Sequence, residues 1–296
     1  MKMKQITIFT PTYNRQNTLK RLYSSLRNQT TKEFVWLIVD DGSTDNTKEE
    51  VEKWIKEGEI QIEYIKQKNQ GKHIAHNTGV ENCKTKYFIC VDSDDYILEQ
   101  GVENILEDCK VYGSNCSIAG SVSLKLQMDL HPVGTELPKN INYSSLSDLY
   151  ESHKFKGDTA LVFKTDILRK YKFPYIEGEK FVGEEYIYCQ IDKEYKLFVS
   201  KNKFYVCEYL EDGYSKNMNK IIINNPRGYM ELKRMKLKCT DKLAIQLKSA
   251  ALYLIGGWLS HSPCLISNSP KKVITLISIP LAIVVYFKKF KNYINN

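Results

Sequence analysis

"YFICVDSDDY", Tyr87 to Tyr96, is the stretch on which the reading of the fold turns. Five residues suited to burial, Tyr87 to Val91, run directly into Asp92, Asp94 and Asp95. Three carboxylates within four positions repel one another, and each resists desolvation. Either a positive group sits at the end of that strand, or the strand ends in a solvated turn. The same arrangement occurs twice upstream. Ile6–Thr10 reads as a buried strand that meets "PTYNR", and Phe34–Asp40 as one that meets "DGSTDNT".

Helical patterns alternate with these strands. Thr18–Gln29 places Leu19, Leu22, Tyr23 and Leu26 on one face, and Thr44 or Thr47 caps a helix running to about Lys56. Ile60–Ile65 alternates apolar Ile60, Ile62 and Tyr64 with polar neighbours, as a third strand does. Helices over Lys72–Asn82 and Gln100–Val111 bracket the strand Tyr87–Val91. Such alternation predicts an α/β fold, a Rossmann-like and mostly parallel sheet with helices on both faces. Ligands of such sheets bind beyond the carboxyl ends of the strands, where the polar insertions fall here.

After Val111 the pattern loosens. Ser117–Gln127, Thr159–Lys164 and Lys196–Ser200 read as strands, and "FVGEEYIYCQI" (Phe181–Ile191) as a helix starting near Gly183. A composition shift near Pro226 marks a helical C-terminal extension, which suggests domains over 1–220 and 221–296. The chain has 296 residues, 42% hydrophobic and 26% charged, which excludes a disordered class. The apolar run Ile6–Phe9 is too short for a secretion signal. Eight cysteines without a C-x-x-C pair read as reduced thiols rather than a zinc site.

Three motifs carry chemistry. In "VDSDD" an extended chain puts Asp92 and Asp94 on one side, where two carboxylates suit a hard dication; the bland alternative is an acidic turn before a helix. In "IVDDGSTDNT" Gly42 permits a sharp turn after Asp40 and Asp41, either as a plain Asx-turn or to present a carboxylate to a nucleobase. In "NQGKHIAHNTG" Gly71 opens a helix whose N-terminus, with Lys72 and His73, favours an anion or simply faces solvent.

Taken along the chain as "FTPTYNR", "VDDGSTDNT", "NQGKHIAHNTG" and "VDSDDY", the motifs resemble, in content and order, the family 2 glycosyltransferases, which have the GT-A fold. That resemblance implies a UDP-sugar donor. Pro11, Thr12, Tyr13 and Arg15 then line the donor site, Asp41 reads the uracil ring, and Gly71, Lys72 and Ser93 contribute to binding. Asp92 approaches the ribose and metal, Asp94 binds Mg²⁺ or Mn²⁺ at the diphosphate, and Asp95 helps position the sugar. The family also implies an acidic base at the start of a later helix. The candidates are Glu184 and Glu185 in "VGEEY", which departs from the usual Glu-Asp pair. One carboxylate taking the acceptor proton predicts single displacement with inversion. "EYLEDGYSKN" (Glu208–Asn217) resembles a loop of bacterial members in which Tyr209, Asp212 or Ser215 closes over the diphosphate.

The tail differs from the body. From Lys216 onward there are 14 basic and 2 acidic residues. "VITLISIPLAIVVYF" (Val273–Phe287) carries no charge and lies between lysines. At about 22 Å as a helix it is short of a ~30 Å bilayer core, and Pro280 would kink it. These features predict a peripheral protein on the inner face of the plasma membrane; the bland alternative is a hydrophobic helix packed on the catalytic domain. Nucleic acid is disfavoured, because basic and aromatic residues are not interleaved. The expected function is an inverting, metal-dependent transferase acting on a lipid-linked or growing surface glycan. Rival readings are a non-catalytic nucleotide-sugar-binding subunit or a nucleotidyltransferase, whose Gly-rich loop "TPTYNR" lacks.

Overall fold

The computed structural model describes residues 4–208 and 214–290, with side chains of the second segment from 217. By contacts the chain forms two compact units. One comprises Met1–Lys172 with Glu194–Glu208, the other Phe173–Lys193 with Tyr209–Asn296.

The first unit holds β1 (Ile6–Thr12), α1 (Gln16–Arg27), β2 (Phe34–Asp40), α2 (Thr47–Glu57), β3 (Ile62–Lys66), α3 (Lys72–Asn82) and β4 (Tyr87–Cys90). It continues with β5 (Tyr96–Ile97), α4 (Gly101–Tyr112), β6 (Ile118–Leu126), β7 (Tyr143–Ser144), α5 (Leu146–Glu151), β8 (Thr159–Lys164) and α6 (Thr165–Leu168). Among the described residues these elements, with β9 (Lys196–Val199) and β10 (Tyr205–Val206), build a ten-stranded sheet ordered β3-β2-β1-β4-β8-β6-β10-β5. The α/β reading is therefore correct. β1 to β4 are parallel, and β8 runs antiparallel to both β4 and β6.

Burial explains the arrangement. Every residue of β1 and β2 is buried, as a sheet covered on both faces requires. On one face Trp36 stacks with Tyr23 of α1 and Trp54 of α2, and its indole N–H donates to Thr10 Oγ1 at 3.0 Å. On the other, Phe9 stacks on Phe88 with His76 of α3 against their edges. β3 is half-buried at the sheet edge, which fits its alternation.

β1 runs two residues beyond the expected Thr10. Its register with β2 continues to Pro11↔Val39 and Thr12↔Asp40, and Asp41 N–H donates to Thr12 O at 2.8 Å. Pairing with β4 ends at Phe9↔Cys90, so the missing Pro11 N–H is not needed there. The ends of β1, β2 and β4 thus lie side by side, which brings the three polar insertions to one edge.

The second unit is helical. It contains α7 (Glu185–Glu194, all but its last residue), α8 (Tyr214–Asn224), α9 (Pro226–Cys239), α10 (Leu243–Leu259), α11 (Lys272–Ile277) and α12 (Ile279–Lys289). Its core gathers Ile222, Tyr229, Tyr253, Leu254, Ile255 and Phe290. Pro226 starts α9, whose first free amides at Arg227 and Gly228 donate to buried Glu179 at 3.0 and 2.7 Å. A Cβ at Gly228 would fall 2.2 Å from Phe181 O, so only glycine lets that strand of chain approach. α11 and α12 break at Ser278, two residues before Pro280, as the proline predicts.

Candidate active site

Two loops at the carboxyl edge are laced together by asparagine chemistry. Asn14 adopts a left-handed φ of 53°, tolerable for this residue type. Its N–H donates to Ser43 Oγ at 2.9 Å, and its Oδ1 accepts from Thr44 N at 2.8 Å. Tyr13 beside it is exposed, while Pro11 and Thr12 are buried at the strand end. Thr12 Oγ1 is buried without a hydrogen-bond partner among the described residues, a costly state unless a ligand satisfies it.

Asp41 is buried and braces the entry to α3. Its Oδ1 accepts from Gln67 Nε2 at 2.8 Å and Gln70 N at 2.9 Å, and its Oδ2 from Gly71 N at 2.7 Å. Oδ2 accepts only one of these donors and retains a lone pair. Gly71 has φ 94° and ψ 158°, a region essentially closed to other residues, and it directs the chain into α3. Asp40 is likewise internal, accepting from Ser43 N at 2.6 Å and from the Tyr64 hydroxyl.

The acidic run is split by its surroundings. Lys72, in the first turn of α3, pairs with Asp92 Oδ1 at 2.6 Å. Burial disfavours the Asp92 anion, but the charges of Lys72 and Lys125 outweigh it and hold this carboxyl below its ordinary range. Asp94 moves the other way. Burial and the neighbouring Asp92 charge push it up, with only partial relief from Arg15 and Lys72. Ser93 between them is buried.

Asp95 points inward. It accepts from the Tyr205 hydroxyl at 2.6 Å and from Glu208 N at 3.0 Å, with Lys125 Nζ at 3.7 Å. Burial pushes its carboxyl up to about 6 despite Lys125. The same Tyr205 hydroxyl accepts from Asp92 N at 3.1 Å, so one side chain of β10 ties both ends of the acidic run. Asp95 thus serves as a brace rather than an open ligand.

The structure assembles Arg15, Lys72, Asp92 and Asp94 around one spot, with Asp41, Pro11 and Thr12 along the same edge. It adds two residues that sequence reading missed. Tyr205 lies in a two-residue strand without periodicity, and Lys125 is the one charge inside the apolar run of β6, a signal that could have been taken up. Arg21 also reaches this edge, donating to the Asp94 carbonyl and pairing with Glu208 at 2.7 Å.

Glu184 and Glu185 belong to the second unit. Glu185, in the first turn of α7, accepts from Lys233 at 3.5 Å and from Lys236, both on α9. Burial acts against its anion, but the two ammonium groups prevail and hold it below its ordinary range. Glu184 is exposed, with the Tyr188 hydroxyl at 3.4 Å. Tyr209 and Asp212, and the side chain of Ser215, lie outside the described residues.

Comparison with known proteins shows the family. The sequence profile of glycosyl transferase family 2 matches residues 7–171, more than half of the chain. The chain belongs to that family and is a glycosyltransferase by class. It is 26% identical over 245 residues to the GalNAc(5)-diNAcBac-PP-undecaprenol beta-1,3-glucosyltransferase of Campylobacter jejuni, covering 79% of this chain and 74% of that protein. It is 32% identical to Glycosyltransferase GlyA of Streptococcus pneumoniae over 52% of this chain but only 23% of that longer protein. Among solved structures, Staphylococcus aureus TarS 1-349 in complex with UDP-GlcNAc superposes with a TM-score of 0.62 at 17% identity, covering 94% of this chain and 80% of the other. That likeness establishes a GT-A-like fold.

Proposed function

We propose that the protein transfers a sugar from a UDP-sugar to a hydroxyl of a lipid-linked or growing surface glycan, in one inverting displacement assisted by Mg²⁺ or Mn²⁺. The observation that carries this reading is the pair Asp92 and Asp94 just beyond the end of β4, two carboxylates on one sheet edge with Lys72 against Asp92.

The residues present fit a dication. No group of three or more His, Cys, Asp or Glu side chains forms a metal cage among the described residues. Mg²⁺ and Mn²⁺ need no such cage where one or two carboxylates and substrate phosphates complete the shell. Asp92 and Asp94 would hold the ion, which when bound offsets charge on the departing diphosphate. A mannosyltransferase of Pyrobaculum calidifontis, solved with GDP-Man and Mn²⁺, shares the fold with a TM-score of 0.57 at 15% identity.

The chain's own groups do the rest. Arg15 and Lys72 supply positive charge for the phosphates. The unpartnered Thr12 hydroxyl and the spare lone pair of Asp41 Oδ2 serve the uridine, with Tyr13 beside them. The Glu184–Glu185 pair supplies the base that takes the acceptor hydroxyl proton, while the acceptor oxygen bonds to the anomeric carbon and the bond to UDP breaks. Glu184 is exposed and open to an acceptor, whereas Glu185 has its oxygens taken by Lys233 and Lys236, which lower its proton affinity and weaken it as an acceptor. The Campylobacter relative's name specifies an undecaprenol-linked substrate. A lipid-linked acceptor would place the reaction at the inner face of the plasma membrane.

Incubation with a panel of UDP-sugars, Mn²⁺ and polyprenyl-diphosphate-linked saccharides tests this reading. UDP release with inverted product is expected. Retained configuration overturns the single displacement, and absence of UDP release with every donor overturns the assignment.

A further inference from the structure

α11 and α12 are apolar on both sides. Inward, Thr275, Ser278 and Ala282 are buried, and Ile279, Val285 and Tyr286 pack partly buried against the core of the unit. Both hydroxyls are satisfied locally, Thr275 Oγ1 by Ser269 Oγ at 2.6 Å and Ser278 Oγ by Ile274 O at 2.7 Å. A second set of large aliphatic side chains faces outward. Val273 is 70% exposed, Ile277 61% and Val284 63%, with Leu276, Ile283 and Phe287 exposed alongside.

With Leu281, also exposed, the positions 273, 277, 281, 284 and 287 recur every three or four residues and trace one stripe along both helices. Between Lys272 and Lys288 the stripe has no charge; Lys271 and Lys272 frame one end, Lys288 and Lys289 the other. No described helix is long and apolar enough to cross a membrane. Trp258 meets Tyr286 edge-on with ring centroids 6.1 Å apart, so α12 is anchored to α10 on its inward side. A water-facing helix has no use for such a surface, and isolated patches of this size mark interaction sites.

We propose that the outward stripe of α11 and α12 lies in the plane of an anionic phospholipid bilayer, with its aliphatic residues among the upper acyl chains and the exposed Lys272, Lys288 and Lys289 on headgroup phosphates, while Lys271 is held within the chain by Thr240 O and Asp241. The framing charge selects this occupant. A second copy docked through the same stripe would set lysine ends against lysine ends under any twofold pairing, whereas an anionic leaflet pairs with both ends. This surface specifies the membrane part of the reading above but does not depend on the transfer chemistry.

Co-flotation of the full chain with vesicles, without donor or acceptor, tests it. Binding to vesicles of three parts phosphatidylcholine to one of phosphatidylglycerol should exceed binding to phosphatidylcholine alone by at least about tenfold. It should weaken as salt rises from about 0.1 M to about 0.5 M. The variant I277D/V284D/F287D, whose altered side chains are all exposed, should keep its melting temperature and lose flotation. Equal flotation of variant and parent overturns the proposal. So does a parent that ignores vesicles and sediments as a dimer that the variant abolishes. Either result leaves the UDP-release assay unaffected, so the two readings fail separately.

Discussion

At the end of β4 the chain buries charge, while along α11 and α12 it exposes hydrocarbon. Both departures cost free energy in the isolated protein, the first through desolvation and repulsion, the second through apolar surface left in water. At β4 the cost is partly met inside the fold: Lys72 pairs with Asp92, and Tyr205 and Lys125 hold Asp95. On α12 Val284 and Phe287 stay largely exposed, at 63% and 58%. The difference teaches what kind of partner each region awaits. The acidic edge is braced from within by Lys72, Lys125 and Tyr205, and under the proposed function it awaits one cation. The apolar stripe is organised only on its inward side and needs an extended surface.

The largest expected effect tests the acidic edge. Asp94→Ala removes a carboxylate that burial and the neighbouring Asp92 charge both disfavour in its ionised form. Metal-dependent transfer should fall by about a thousandfold or more, with melting unchanged or raised, because repulsion on Asp92 disappears. Full activity in this variant would remove the metal role.

Next come Glu184→Gln and Glu185→Gln, compared as a pair. Whichever is the base should lose about a hundredfold or more in kcat with a small change in KM. Only Glu185→Gln should also lower stability, by about 1–2 kcal/mol, because Lys233 is then buried without its counter-charge. Chemical denaturation of both variants separates the catalytic from the packing role.

Asp95→Asn sharpens the contrast between brace and ligand. The Asp95 carboxyl is pushed up to about 6 by burial, so the fold favours its protonated form. Its contribution is full below about pH 4 and is lost as pH rises through about 6, a span of about 3 kcal/mol. Without divalent ions, the stability of the variant relative to the parent should therefore improve from pH 4 to pH 7. A flat difference would show that Asp95 does not titrate there. The smallest effect belongs to Tyr64→Phe, which removes the hydroxyl donated to Asp40 and should cost about 1 kcal/mol in urea unfolding.

Much of the first unit was legible along the chain. Long buried strands and amphipathic helices carry a period, and α3 begins and ends at Lys72 and Asn82 as its pattern indicates. Two-residue strands have no period to read, so β5, β7 and β10 were invisible, and with β10 the bridging hydroxyl of Tyr205. α5 was missed as well, although Ser145 caps it by accepting from Asp148 N at 3.1 Å. Residues 173–193 gave no sign that they pack with the C-terminal helices, since the lysines that hold Glu185 lie about fifty positions later on α9.

Local order alone settled the alternation of strand and helix, the delivery of polar residues to one sheet edge, and the charge-free run between lysines. Periodicity and turn chemistry act between near neighbours, and so they are written in near neighbours. Only the tertiary structure decided which aspartate pairs with a lysine at the edge and which is braced within, because that depends on Lys72, Lys125 and Tyr205 arriving from other elements. Likewise, only packing against α10 determined which side of the apolar helices is left bare, since a run apolar on nearly every side does not choose its own inward face.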